Sequence, residues 1–281
     1  MTDWNDWIGR SKSVEDDIVR SPAARAAAML GDLSTAFRDG DAGLPPLWHW
    51  FYFLDAVERD ATGPDGHAAK GGFLPPIALP RRMYAGGRFT FGGDLRFGTS
   101  ALKRTTIASV TEKEGRSGPL AFVTVRHEIE QAGRLATTEE HDIVYREAED
   151  PAAPKPPTPR SELKVLDEET VTPDEVMLFR FSALTFNGHR IHYDHPYVTG
   201  VESYPGLVVH GPLVAMLLFE KARKSFPGAS PAGFSFRAMS PVFCGTPIRL
   251  ARVESPGSDP VFEARTPDDR LIMTSTTRFH P

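Results

Sequence analysis

The run His210-Gly211-Pro212-Leu213-Val214-Ala215-Met216-Leu217-Leu218-Phe219-Glu220-Lys221-Ala222-Arg223 decides how the rest of the chain is read. It opens on a Gly-Pro pair, and proline is favoured in a helix's first turn. From Leu213 to Phe219 every residue is apolar. A helix that apolar on all sides has to be buried, and a curved antiparallel sheet wrapped around it is the natural shelter. The following residues supply strands for one: Gly233–Ala238, Pro247–Glu254, Pro260–Arg265 and Leu271–Phe279 are short, rich in Val, Ile, Phe and Thr, and separated by turn residues.

The first half of the chain repeats this order faintly. Pro45-Pro46-Leu47 opens a second apolar helix, Trp48–Leu54. After a longer insertion come strand-like runs at Arg88–Phe91, Leu102–Val110, Leu120–Gln131 and Thr137–Arg146. Phe89-Thr90-Phe91 parallels Phe234-Ser235-Phe236, and Phe97-Gly98-Thr99 parallels Cys244-Gly245-Thr246. Duplication is the economical explanation. Between the halves, residues 150–159 hold five prolines in ten positions. Proline fixes φ and removes amide donors, so this stretch reads as an extended linker. The expected division is residues 1–149, a linker at 150–160, and residues 161–281. Residues 13–38 predict an additional helix, with Ser13 as its cap, Glu15, Asp16 and Asp17 in its first turn, an alanine-rich run from Ala23 to Ala28, and a break at Pro22.

Composition narrows the class. With 40% hydrophobic and 25% charged residues, the chain reads as an ordinary soluble globular protein. A net charge of −5 gives no basic surface for nucleic acid. The longest apolar run falls well short of the roughly 20 residues a membrane helix needs, so no membrane is expected. Met1-Thr2-Asp3-Trp4 lacks the basic start of a signal peptide. Cys244 is the sole cysteine, which excludes an intramolecular disulfide and a zinc–cysteine cluster and fits a reducing compartment. A cytoplasmic protein is expected.

Upstream of the decisive helix lies Phe186-Asn187-Gly188-His189-Arg190-Ile191-His192-Tyr193-Asp194. An imidazole with a pKa of about 6.5 takes or gives a proton at neutral pH, which makes His192 the candidate base. The alternative is a packed or surface-loop histidine. Asn187 and Asp194 are close enough in sequence to orient the ring or position a water. In an extended strand His192 and Asp194 would share a face. At His210-Gly211-Pro212, a glycine at a helix start lets a substrate approach the backbone. Its N–H, with the helix dipole behind it, suits a thioester oxyanion. Aligning Pro46 with Pro212 puts Pro45 where Gly211 stands, and proline has no N–H, so the first half offers no such donor.

Other chemistries fit less well. His189, His192, Asp194, His195 and His210 would suffice as metal ligands on paper, but the helical His-Glu-x-x-His spacing is absent, and no metal is expected. There is no Gly-x-Ser-x-Gly elbow and no phosphate-binding glycine loop. Cys244 reads as a packed small residue. Arg81, Arg82 and Arg190 are the basic residues best suited to meet a carboxylate or phosphate.

These residues resemble the MaoC-like hydratase/dehydratase family of the hot-dog fold. Ile191-His192-Tyr193-Asp194 matches the His-x-Asp part of its motif, and Val209-His210-Gly211 its second segment. The fit is closest to a two-hot-dog branch that includes type 2 3-hydroxyacyl-thioester dehydratases and the mesaconyl-CoA and itaconyl-CoA hydratases. Leu79-Pro80-Arg81-Arg82-Met83 and Gly86-Gly87 also look like that branch. The resemblance implies an α+β double hot dog: two antiparallel sheets, each wrapping a long central helix, fused as a pseudo-dimer with a degenerate acyl-binding first half. It also implies reversible hydration of an enoyl-CoA without metal or redox cofactor. The acyl group would be short and carboxylated, such as itaconyl or mesaconyl. The protein would work as a monomeric pseudo-dimer or a homodimer. His192, Asn187, Asp194 and Gly211 would be catalytic. Arg190, His210, Arg81 and Arg82 would bind substrate. The family's catalytic aspartate falls at Asn187. Asparagine cannot act as a base but can hold a water, which leaves the proton work to His192 with Asp194 as orienter or second base. A thioesterase on the same fold and a non-catalytic acyl-thioester binding protein are the alternatives.

Overall fold

The computed structural model describes residues 4–33, 43–115, 118–147, 159–255 and 257–281. Most of the proline-rich linker read at 150–160 lies outside them. The first half contributes β1 (Ser11–Asp17), α1 (Arg20–Leu30), β2 (Gly43–Leu44), β3 (Arg81–Phe91), β4 (Leu95–Arg96), β5 (Ser100–Gly115), β6 (Gly118–Gln131) and β7 (Arg134–Arg146). The second contributes β8 (Val165–Val171), α2 (Glu175–Thr185), α3 (His195–Gly200), α4 (Gly211–Ser225), β9 (Pro231–Ala238), β10 (Ile248–Val253), β11 (Val261–Arg265) and β12 (Leu271–Phe279).

Ten of the strands form one antiparallel sheet in the order β1-β5-β6-β7-β3-β9-β12-β11-β10-β8. The two expected sheets therefore run together, joined where β3 pairs with β9. Read outward from this seam, the halves match element for element: β3-β7-β6-β5-β1 on one side, β9-β12-β11-β10-β8 on the other. Phe89 and Phe234, from the paired aromatic triplets, sit directly opposite each other across it. Two elements that pattern reading passed over, β8 and α2, complete the correspondence with β1 and α1.

The decisive helix forms as expected. α4 buries every residue from Leu213 to Ala222, Glu220 and Lys221 included. Lys221 is paired with Asp167 of β8, and Glu220 accepts from the Trp48 indole at 3.1 Å. Phe219 lies 5.7 Å from the ring of Phe91 and 5.0 Å from that of Phe234, so it packs against strands of both halves.

Two expectations fail. The first half has no helix over Trp48–Leu54, only a 3₁₀ turn at Trp48–Phe51. Leu47 and Phe53 have φ of 70° and 54°, outside the helical region. Polar partners hold this aromatic run in its irregular path. Trp50 donates to the Glu139 carboxylate, His49 meets the same group at 2.9 Å, and the Phe53 N–H donates to Asp16 at 2.7 Å. The helix predicted over 13–38 begins only at Arg20, because Ser11–Asp17 is an edge strand paired with β5. The carboxylate read as a helix-start charge, Asp16, is the one that accepts from Phe53. Pro22 falls in the first turn of α1, where its missing N–H costs nothing.

Replacing Phe219 by alanine removes a fully buried ring shared by both halves. A loss of about 3–5 kcal/mol is expected, measured as a drop in ΔG from urea denaturation.

Candidate active site

α2 starts at a capping aspartate, Asp174, which accepts from the Met177 N–H at 2.8 Å. It ends at Phe186, whose φ of 50° turns the chain out of the helix. Asn187 then accepts from the His189 N–H at 3.0 Å through its side-chain oxygen, closing a tight turn. The segment is not the extended strand expected. Arg190–His192 is a 3₁₀ turn, and Asp194 caps α3. One Asp194 oxygen accepts from the Tyr197 N–H at 3.0 Å. The other accepts from Arg190 at 2.9 and 2.8 Å. The Arg190 guanidinium also donates to the Pro64 carbonyl and lies 4.0 Å over the Tyr197 ring. Asp194 and Arg190 are thereby committed to holding the segment in shape.

His192 is oriented by the backbone. Its Nδ1 lies 2.7 Å from the Val208 carbonyl oxygen, so Nδ1 carries the proton and Nε2 presents a lone pair. The Val208 N–H donates back to the Ile191 carbonyl at 3.0 Å, stitching this segment to the residues that lead into α4. The His192 ring stacks on His210 at 3.6 Å. His210 caps the start of α4, is fully buried, and meets Ser182 Oγ through Nε2 at 2.8 Å. Its Nδ1 has no partner among the described residues. Gly211 follows immediately. The first bond of α4 runs from Val214 N–H to the His210 carbonyl, so the Gly211 N–H belongs to the first-turn amides without a helical acceptor. A Cβ at Gly211 would meet only Tyr84 at 3.9 Å, an ordinary contact.

The insertion in the first half adds residues that sequence reading missed. Its Asp65 carbonyl accepts from the Arg190 N–H at 2.9 Å. The His67 ring lies 4.0 Å from that of His189, which is 5.4 Å edge-on from His192. Four imidazoles, His67, His189, His192 and His210, form one row. Only two belong to segments the sequence had marked for chemistry, and no local pattern around Asp65 announces the contact.

Burial pushes all four rings away from their charged form. It lowers His192 to about 4 and His189 to about 2, the latter helped by its histidine neighbours, and lowers His67 and His210 as well. Asp65 behaves oppositely. Burial would raise it, but hydrogen bonds and charge from His67 outweigh that and hold it well below the usual carboxylate range.

The two arginines of the Leu79–Met83 stretch have different surroundings. Arg81 is engaged by Glu202, with an ion pair of 2.8 Å and a bond to its carbonyl at 2.8 Å. Arg82 hydrogen-bonds the Tyr145 hydroxyl and has no carboxylate partner among the described residues. Its charge disfavours protonation of His67, His189 and His141.

The metal ligands weighed from sequence do not assemble as a set. Two other groups bring possible ligand atoms within 4.8 Å of one another: Asp65, His67 and His189 in this site, and His127, Glu139 and His141 on β6 and β7.

A family model for hydroxyacyl-thioester dehydratase type 2 matches residues 47–244. That stretch spans both halves of the site. The chain belongs to this family. It is 51% identical over 278 residues, 98% of its own length and 97% of the relative's, to the mesaconyl-C(4)-CoA hydratase of Chloroflexus aurantiacus. In fold it is similar to HtdX of Mycobacterium tuberculosis, with a TM-score of 0.68 and 19% identity over 96% of this chain and 100% of the other. A second M. tuberculosis protein with a double hotdog fold superposes with a TM-score of 0.57 and 15% identity over 97% and 96% of the two chains. The resemblance drawn from residues 186–194 and 206–213 holds. The protein is a hot-dog hydro-lyase that hydrates or dehydrates CoA thioesters.

The buried histidines set an acid limit on stability. Unfolded, each binds a proton near pH 6.5. Folded, His192 and His127 do so only near 4, His141 near 3 and His189 near 2, burial being the main cause each time. Between these values the unfolded state binds more protons, so stability falls as pH drops below about 6.5. Urea midpoints measured from pH 7.5 to 4.5 should decline steadily. A flat profile would contradict neutral, buried rings.

Proposed function

We propose that the protein reversibly adds water across the C2=C3 bond of a short, carboxylated enoyl-CoA, with a mesaconyl thioester as the leading substrate. The observation that carries this reading is the pinned His192 ring, whose free Nε2 lone pair belongs to the same small site as the start of α4. In the proposed reaction the Gly211 N–H donates to the thioester carbonyl oxygen. His192 Nε2 takes a proton from water, the hydroxyl bonds to C3, and the π pair moves towards the oxygen held by Gly211. The same Nε2–H then returns its proton to C2 as the enolate collapses. This gives addition on one face and leaves His192 neutral. Every step uses side chains and backbone alone, without metal or redox cofactor. Asn187 shapes the turn before His192, and Asp194 holds that turn through Arg190. His210 supports the His192 ring and caps the oxyanion helix.

Substrate class follows from Arg82. In a mesaconyl thioester esterified at C4, the free carboxylate sits on the carbon that receives the hydroxyl. A cation beside the histidine row is then where it is needed, and Arg82, unlike Arg81, has no carboxylate of its own. In this reading residues 161–281 carry the chemistry, residues 1–149 form the acyl-side wall, and 150–160 links them. One chain supplies the whole site, whether it stands alone or pairs with a copy. We place the reaction in the cytoplasm, consistent with a single, unpaired cysteine.

The test is mass spectrometry of crotonyl-, mesaconyl-, itaconyl- and decenoyl-CoA incubated with wild type and His192→Ala. A gain of one water on the intact ester, reduced by about 10²- to 10⁴-fold in the variant, is expected. Free CoA plus free acid would overturn the reading in favour of a thioesterase. Arg82→Gln should raise KM for the carboxylated esters and leave crotonyl-CoA unchanged, measured by initial rates. Equal losses on both would remove Arg82 from carboxylate recognition.

A further inference from the structure

The insertion between Leu54 and Pro80 plays no part in the steps above, yet it is fastened to the 186–194 segment with unusual closeness. Pro64 and Asp65 offer their carbonyls to the side chain and the backbone N–H of Arg190. Gly66, with φ of 88°, lies so close to Gly188 that a Cβ there would stand 1.9 Å from the Gly188 carbonyl oxygen. Only glycine fits such a crossing.

The crossing delivers a carboxylate–imidazole pair. Asp65 accepts from the His67 backbone N–H at 3.0 Å and from its ring Nδ1 at 2.9 Å. That pairing sets the tautomer, turns the ring, and lays it 4.0 Å from His189. The second half has no carboxylate for this task, since Asn187 is neutral and Asp194 is taken by Arg190 and the α3 cap.

We infer that Asp65 and His67 are positioning residues of the hydratase reaction, lent to the second half's site by the first. They fix His189 against the edge of His192 and place a carboxylate charge behind the histidine row. Against that charge His192 carries, during turnover, the proton taken from water. The inference rests on His192 as the base. A cation held by Asp65, His67 and His189 is the competing use of the same groups, but it would face the Arg82 charge.

Charge and shape are separable at Asp65. Asparagine keeps the shape and loses the charge, whereas glutamate keeps the charge and alters the shape. On whichever enoyl-CoA the wild type hydrates, Asp65→Asn should lower kcat on the order of 100-fold with little change in KM. Asp65→Glu should recover most of that loss, and His67→Gln should resemble Asp65→Asn. Each variant should keep the wild-type melting temperature within a few degrees, as expected of a partly exposed loop. Near-wild-type kcat in Asp65→Asn with a larger loss in Asp65→Glu would show that only shape matters and overturn the inference. So would loss of wild-type activity after dialysis against EDTA with recovery on adding Zn²⁺ or Mn²⁺. If the wild type hydrates none of the esters, the hydratase reading itself fails and takes this inference with it.

Discussion

The structure depends on enclosing a helix that has no polar face. From Leu213 to Ala222 α4 presents nothing to solvent, so apolar surface must cover it on every side. One five-stranded curve cannot close around a cylinder about 10 Å across. The sheet therefore continues through the β3–β9 seam, and Phe91 of the first half packs on Phe219 beside Phe234 of the second. The seam explains why the halves are not independent: each lends apolar surface to the same helix.

Enclosure also creates the site. A helix buried along its length still leaves the amides of its first turn without acceptors, and here that end meets a segment folded tightly by its own polar contacts. The Val208 carbonyl aims the His192 ring, the Asp194–Arg190 pair holds the turn, and Ser182 receives His210. Burial keeps the rings neutral, so a lone pair rather than a charge faces the substrate. The condition that makes the base available at neutral pH also makes the fold sensitive to acid.

Much of this was legible in the chain. α4 and the four strands after it were read almost to the residue, because an all-apolar helix and β-branched runs between turn residues are local signals. The segments carrying His192 and His210 were legible for the same reason, being short and dense in functional groups. What escaped was set by long-range partners. Ser11–Asp17 carries helix-start residues yet became an edge strand, because β5 was available to pair with it and Phe53 needed the Asp16 carboxylate. The aromatic run at Trp48–Phe53 has an apolar helix's composition, but Glu139, nearly ninety residues away, holds two of its side chains. The same non-local logic hid Asp65 and His67, whose meaning lies entirely in where the insertion lands.

The halves have diverged in a way that fits a division of labour. Where the second half keeps a long helix, the first has a single 3₁₀ turn and a polar group the fold does not need. Glu139 is buried, and its pKa is the net result of burial, which would raise it, and His49 and neighbouring histidines, which pull it down to about 2. A buried carboxylate of this kind adds little stability over apolar packing, so its presence calls for another reason. It anchors Trp50 and His49 and keeps the aromatic run from coiling. A helix there would have filled the first half as completely as α4 fills the second. Its absence leaves the insertion, rather than a second apolar rod, to face the catalytic segment. Loss of one helix is thus what admits Asp65, His67 and Arg82 to the site, and an asymmetric polar wall is what a carboxylated acyl group requires.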